Sequence, residues 1–181
     1  MKILNVFDAV LEGKMEDFIK YYDGNIDQVN PYTKLNLLTT AVLNYKNPLD
    51  RIYMIEYLIS HSIDMNYVDP KYQRNALHTL FFNALSDSAD YMNRVVKLLV
   101  ENGLDVNSLD RFNAIPLNYA IAVTKNSTED MKDIYLYLLE QGSDYNFKDS
   151  FDKSCLDYAK EYSWRHGFID IVKEYENGKY E

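Results

Sequence analysis

Few side chains here can carry covalent or acid–base chemistry: a single cysteine, Cys155, and three histidines, His61, His78 and His166. A thiol and an imidazole within hydrogen-bond reach would make a nucleophile and its base. His78 and Cys155, however, sit in corresponding zones of two sequence repeats that lie two units apart, so the pair is not expected to meet. The histidines show no zinc-ligand spacing. The six glycines form neither a Gly-x-Gly-x-x-Gly turn nor a lysine-terminated phosphate loop, and there is no Gly-x-Ser-x-Gly elbow or His-Glu-x-x-His helix. Among the carboxylates, Asp64, Asp105 and Asp144 recur with the repeat, and the others fall mostly on polar helix faces. No cofactor, metal or small-molecule substrate is expected, and an enzyme is the least supported class.

The residues with the clearest pattern are suited to recognition. Tyr72, Phe112 and Phe151 each stand three residues before the start of a helical segment, at spacings of 40 and 39 residues. Lys71 and Arg111 immediately precede the first two. Aromatic and arginine side chains dominate binding hot spots, whereas turn tips otherwise favour glycine, asparagine and aspartate. Two readings stand: the rings form an exposed stripe, or each folds onto the neighbouring loop. Arg74 and Lys153 near the helix starts, and Asn44, Asn83, Glu161 and Tyr162 further along, are expected on the same open face. Phe82 belongs to that zone either as core or as surface.

The elements that must position these residues are written in the repeat. "NLLTTA", "NALHTL", "IPLNYA" and "SCLDYA" place Leu38, Leu77, Leu117 and Leu156 at intervals of 39, 40 and 39 residues. Between them lie "YLISHSIDMN", "VVKLLVENGLDVN" and "YLLEQGSDYN", each an amphipathic helix end followed by an alternating segment. Gly103 and Gly142 supply the left-handed residue that ends such a helix, and Ser62 must adopt that conformation with some strain. The following segment reads as a short β-hairpin or extended loop. Asn47, Ser88 and Ser127 are N-cap candidates, with Pro48 at a first helical position and Ser127 and Asp130 resembling a capping box. Each cap lies fifteen residues before Ser62, Gly103 or Gly142, which predicts second helices of equal length. Ser163 to Gly178 repeats the distance, with Gly167 a point where that helix can be cut short. Upstream, "VFDAVLEGKMEDFIKYY" reads as two short helices around Glu12-Gly13-Lys14, with Phe18, Ile19, Tyr21 and Tyr22 available for packing.

A period of this length with two helices per unit marks a stacked-repeat protein, in which neighbouring units supply each other's core. In this combination of motifs the chain resembles the ankyrin family over about residues 31 to 178. "IPLNYA" and "NALHTL" match the family's helix start, and "VVKLLVENGLDVN" and "YLLEQGSDYN" its helix end. Ser62 departs at a glycine position, Ile115 at the threonine position, and Ala76 and Cys155 where proline is usual. The resemblance implies an all-α solenoid of helix-turn-helix units with short β-hairpin loops, here with outer helices lengthened by about one turn. Residues 1–30 would be an N-terminal capping repeat, 31–68, 69–107 and 108–147 three repeats, and 148–181 a fourth repeat closed by "KEYENGKYE". His78 would bridge backbone groups between loop and helix, as the family's histidine does, and Cys155 would be a small buried residue. Tyr57, Tyr119, Tyr135, Tyr137 and Tyr158 would pack between helices.

The net charge of −9 opposes a phosphate backbone, and no run of about 18 apolar residues exists to span a membrane. The acidic N-terminal "MKILNVFDAVLEGKME" does not fit a signal peptide, so a cytoplasmic location is expected. The resemblance implies a non-catalytic module that binds another protein through its loop tips and concave helix face: Lys71, Tyr72, Arg74, Asn83, Arg111, Phe112, Phe151, Lys153, Glu161 and Tyr162. Small acidic ankyrin-like proteins rich in Asn, Lys and Tyr look bacterial, and some resemble immunity proteins that neutralise a cognate toxin. A basic toxin domain would suit the overall charge, although Lys71, Arg74 and Arg111 would ask for acidity at the contact itself. The other reading is a general adaptor or a host-directed effector.

Overall fold

The structure, a computed structural model, describes residues 2–44, 46–83 and 88–178. Two short helices, α1 (Val6–Glu12) and α2 (Met15–Tyr21), precede four helical pairs. These are α3 (Leu37–Ala41) with α4 (Pro48–Ser60), α5 (Ala76–Asn83) with α6 (Ala89–Glu101), α7 (Pro116–Ala122) with α8 (Lys132–Glu140), and α9 (Cys155–Glu161) with α10 (Gly167–Gly178). A single 3-10 turn, Ser163–Arg165, joins the last pair.

The fold is all-α, in two layers. Helices α1, α3, α5, α7 and α9 each pack on the next in one layer, and α2, α4, α6, α8 and α10 do so in the other. Leu38, Leu77 and Leu117 are buried between the layers with Ile55, Val96, Leu138 and Phe168. Each such side chain contributes about 2 kcal/mol when fully removed from water, so the core is spread along the whole stack. Among the described residues no helix is long and apolar enough to cross a membrane.

The second helices end as their sequences dictate. Ser62, Gly103 and Gly142 take φ of +64°, +93° and +87°, and the N–H of the following residue returns to the carbonyl five residues back. In that reversed turn the last carbonyls of the helix are satisfied. Asn66 then donates to the Gly103 carbonyl at 2.9 Å and accepts from the Asp105 N–H at 2.8 Å. Asn107 repeats both bonds on Gly142 and Asp144. The carboxylates of Asp64, Asp105 and Asp144 accept backbone N–H groups two residues on, which is the local reason they recur.

Three expectations are corrected. The connecting segments are not β-hairpins: among the described residues only an isolated bridge, Val29 with Asn36, has strand pairing. Each loop closes through two backbone bonds at its tip, as from Asp110 N–H to the Ala114 carbonyl at 3.0 Å and from Asn113 N–H to the Asp110 carbonyl at 2.9 Å, and is too short to extend a ladder. The second helices are also unequal. Asn47 and Ser88 start helices of 13 residues, but α8 has only 9, because the turn after Ser127 departs from α geometry before Lys132. Ser127 does pair with Asp130 there, at 2.6 Å. Lastly, Asn44 does not face outward; it is buried and donates to the Val10 and Gly13 carbonyls, tying the first helical pair to α3. Residues 179–181, part of the charged C-terminal closure, lie outside the described residues. Helix α10 begins at Gly167, the point where shortening was expected.

Candidate functional site

Each loop that precedes a first-layer helix is built around an aspartate. The Asp69 carboxylate accepts the N–H groups of Lys71, Tyr72 and Arg74; Asp110 accepts those of Phe112 and Ala114; Asp149 accepts those of Phe151 and Lys153. Such side-chain turns hold the loop tightly. The last residue of each tip is left-handed, with φ of +57° at Gln73, +54° at Asn113 and +58° at Asp152. Successive tips are then joined: the Arg111 N–H donates to the Tyr72 carbonyl and the Ser150 N–H to the Phe112 carbonyl, both at 2.8 Å. The aromatic column is therefore a continuous edge.

Both sequence readings of its rings hold in part. Phe151 is 65% exposed, whereas Tyr72 and Phe112 are half-buried. Phe112 and Phe151 stack with centroids 6.2 Å apart. Lys71, Arg74 and Arg111 lie over Tyr72 at 4.7, 4.8 and 5.7 Å from its centroid. Arg74 is fixed from several sides. It donates to the Tyr119 hydroxyl at 2.9 Å, lies 3.9 Å from the Asp110 carboxylate and covers the half-exposed Phe82 ring at 4.2 Å. Lys71 and Arg111 are exposed and have no carboxylate partner among the described residues.

The other candidates lie along the same side. Asn83 is exposed at the end of α5, with its amide bonded back to the Thr79 carbonyl at 2.9 Å. Lys153 and Glu161 form an ion pair with each other, so neither presents free charge. Tyr162 stacks between Tyr158, at 6.3 Å, and Trp164, at 5.0 Å. Between α7 and the loop before α9 is a cleft of about 230 Å³, walled by Phe82, Phe112, Tyr119, Val123, Phe151 and Tyr158. The Tyr119 and Tyr158 hydroxyls donate to Asp110 and Asp149 at 2.5 Å. Burial together with these carboxylates pushes the Tyr119 phenol up to about 12 and that of Tyr158 higher still, so both remain neutral.

His78 and Cys155 are not brought together. His78 is fully buried in α5, and its Nε2 bonds the Ala114 carbonyl of the following loop at 2.9 Å. Its Nδ1 lies 3.3 Å from the Asn75 N–H and 2.8 Å from the Asn75 side-chain oxygen. Burial lowers its pKa to about 4. Cys155 is buried in α9, on the far side of α7, and burial pushes its thiol well above the usual range. Among the described residues no group of His, Cys, Asp or Glu could hold a metal ion.

Several residues of interest escaped the sequence reading. Tyr32 is 91% exposed beside Lys71 and Tyr72; it stands 40 residues before Tyr72, so the column's own spacing would have found it. Trp164, 62% exposed, had no repeat counterpart to point to it. Arg51 and Arg165 are buried, although a helix-face count assigns arginine to solvent. A scan of the chain against protein-family models finds no match, and a search of curated proteins also finds none.

Proposed function

We propose that the chain is a non-catalytic protein-binding module of the ankyrin-like repeat kind, built from the N-terminal capping pair and four repeats divided as the sequence suggests. The observation that carries this reading is the edge of Tyr72, Phe112 and Phe151, joined tip to tip by backbone hydrogen bonds, with the exposed Tyr32 beside it and flanked by Lys71 and Arg111, which have no carboxylate partner among the described residues. Rigid aromatic rings and arginine on one ordered surface are what a partner's hot spots pack against. The two groups best able to do chemistry are each consumed by the core, His78 as a bridge and Cys155 as a packed thiol.

The biological role we propose is capture and neutralisation of a cognate protein, such as a bacterial toxin domain, in the cytoplasm. The cations on the edge ask for an acidic patch on that partner, whatever its overall charge, since charge complementarity acts at the contact and steers approach. The test is capture of the tagged protein's partner from its native cells, repeated with Phe151→Ala and Arg111→Glu. A near-stoichiometric partner lost in both variants, at unchanged melting temperature, is the expected result. A partner retained by both variants would move the binding surface elsewhere.

A further inference from the structure

The cleft beside α7 lies where a side chain that bridges the neighbouring junction is replaced. At the junction of α5 with the next loop, the His78 ring spans the gap and bonds the Ala114 carbonyl. One unit on, the same place is held by Asn118, which is too short to make that bridge. Its oxygen accepts the Ile115 N–H at 3.0 Å, while its Nδ2, in a side chain only 4% exposed, has no acceptor among the described residues. A buried amide N–H without a partner costs stability, and native proteins keep such groups for a reason. Asn118 lines the cleft, and the space is apolar and open.

Most charge around the cleft is paired within the chain. Asp149 lines it, but one oxygen accepts two backbone N–H groups and the other the Tyr158 hydroxyl. Asp110 is spent in the same way. Lys153 is neutralised by Glu161, and Lys148 by Asp152. Arg74 at the rim is set against Asp110, and the cations without a carboxylate partner among the described residues are Arg111 and Lys71 on the same edge. A volume of about 230 Å³ suits one large side chain.

Resting on the protein-binding reading above, we infer that this cleft is the anchor subsite for an acidic peptide segment of the partner: one large apolar side chain enters between Phe112, Tyr119 and Phe151, an acceptor on the segment reaches Asn118, and flanking carboxylates meet Arg111 and Lys71. The arrangement follows the usual logic of a recognition pocket, apolar walls with a few polar groups to fix orientation.

The test is selection of a random twelve-residue phage-displayed peptide library on the full chain, followed by fluorescence anisotropy of the fluorescein-labelled winner. Selected peptides are expected to combine Asp and Glu with one Phe, Leu, Trp or Met. Replacing that apolar residue by Ala should weaken binding about tenfold or more, and so should Arg111→Glu, which places a like charge against the peptide. Ala122→Leu, which fills the cleft without touching any charge, should do the same. Asn118→His should raise the melting temperature by restoring the bridge seen at His78, to the Lys153 carbonyl, and weaken binding.

Basic peptides, an empty selection, stronger binding of labelled oligo-dT than of any peptide, or acidic peptides indifferent to Ala122→Leu would each overturn the subsite. The broader reading fails separately. If the native partner is lost on Phe151→Ala but held by Ala122→Leu and not competed by the peptide, the face binds protein and only the subsite is wrong.

Discussion

Two junctions of this stack share a backbone and differ in the side chains that clasp them. Between α5 and the loop before α7, His78 closes the loop side with its bond to the Ala114 carbonyl. Between α7 and α9 the loop side is open, and the fastening lies at the far end of α7. There Arg165, fully buried, donates to the carbonyls of Ile121, Thr124 and Asn126. The contrast teaches that cohesion of a stacked unit can be moved along its seam. Where the loop-side bridge is missing a cleft is left beside α7, and the Arg165 clasp holds the far end of that helix.

The comparison is broken most forcefully at Arg165. Arg165→Met keeps the length and apolar stem but strands three carbonyls at the end of α7, so a loss of about 4 kcal/mol is expected from hydrogen bonds to a charged donor. For a chain of this size that is a fall in melting temperature of roughly 10 °C, read by circular dichroism. A loss below about 1 kcal/mol, the level of a surface substitution, would mean that water replaces the clasp and that the junction is held by apolar packing alone.

His78→Asn converts the first junction into the second. It should cost about 2–3 kcal/mol through the lost bond to the Ala114 carbonyl, which keeps only the Asp110 N–H, and through the space the ring leaves. The wild type carries a pH signature of the same bridge. Burial lowers the His78 pKa from 6.5 to about 4, so the stability drawn from the neutral ring is complete above pH 6.5 and is lost as pH falls through that value toward 4. The melting temperature of wild type should therefore approach that of His78→Asn across this window. A gap that stays constant or widens would show that the Asn75 oxygen, 2.8 Å from Nδ1, holds the ring protonated instead.

How much of this was legible depended on whether a residue's role repeats. Leu77, Leu117, Gly103 and Gly142 do the same work in each unit, so spacing alone located the layers and the helix ends. The aspartates of the tips repeat too, and with them the column of rings. Arg165 and Asn118 do their work once, at one junction, through partners far along the chain, and a periodic pattern averages such residues away. Asn44 was misplaced for the same reason, because its partners Val10 and Gly13 come from the helical pair that caps the stack. The hairpins failed on length, since each loop closes at its tip without a ladder to follow.

Asn118→Ala sharpens the contrast by being mild. It removes only the bond to the Ile115 N–H and takes away an unsatisfied amide, so a loss of about 1 kcal/mol, the size of a helix-cap deletion, is expected. Chemical denaturation resolves a change of that size as a shifted midpoint at constant slope. A loss equal to that of His78→Asn would mean that Asn118 is already bridged in solution and that the cleft is closed.

The smallest effect lies where the units differ at their helix ends. Ser62 holds φ of +64° at a position that Gly103 and Gly142 fill without a Cβ. A serine there pays about 1 kcal/mol for its left-handed backbone, while glycine pays part of that back through the greater freedom of its unfolded chain. The two nearly cancel, with the steric relief ahead, so Ser62→Gly should gain about 0.5 kcal/mol. Gly103→Ala, which introduces the strain without any relief, should lose about 1 kcal/mol or more. Hydrogen exchange gives the local answer that melting blurs. If the end of α4 exchanges faster than the end of α6 in wild type, and Ser62→Gly removes the difference, local strain sets the softness of that end; exchange that is equal in wild type would show that the bond from Ile63 N–H to Leu58 outweighs it.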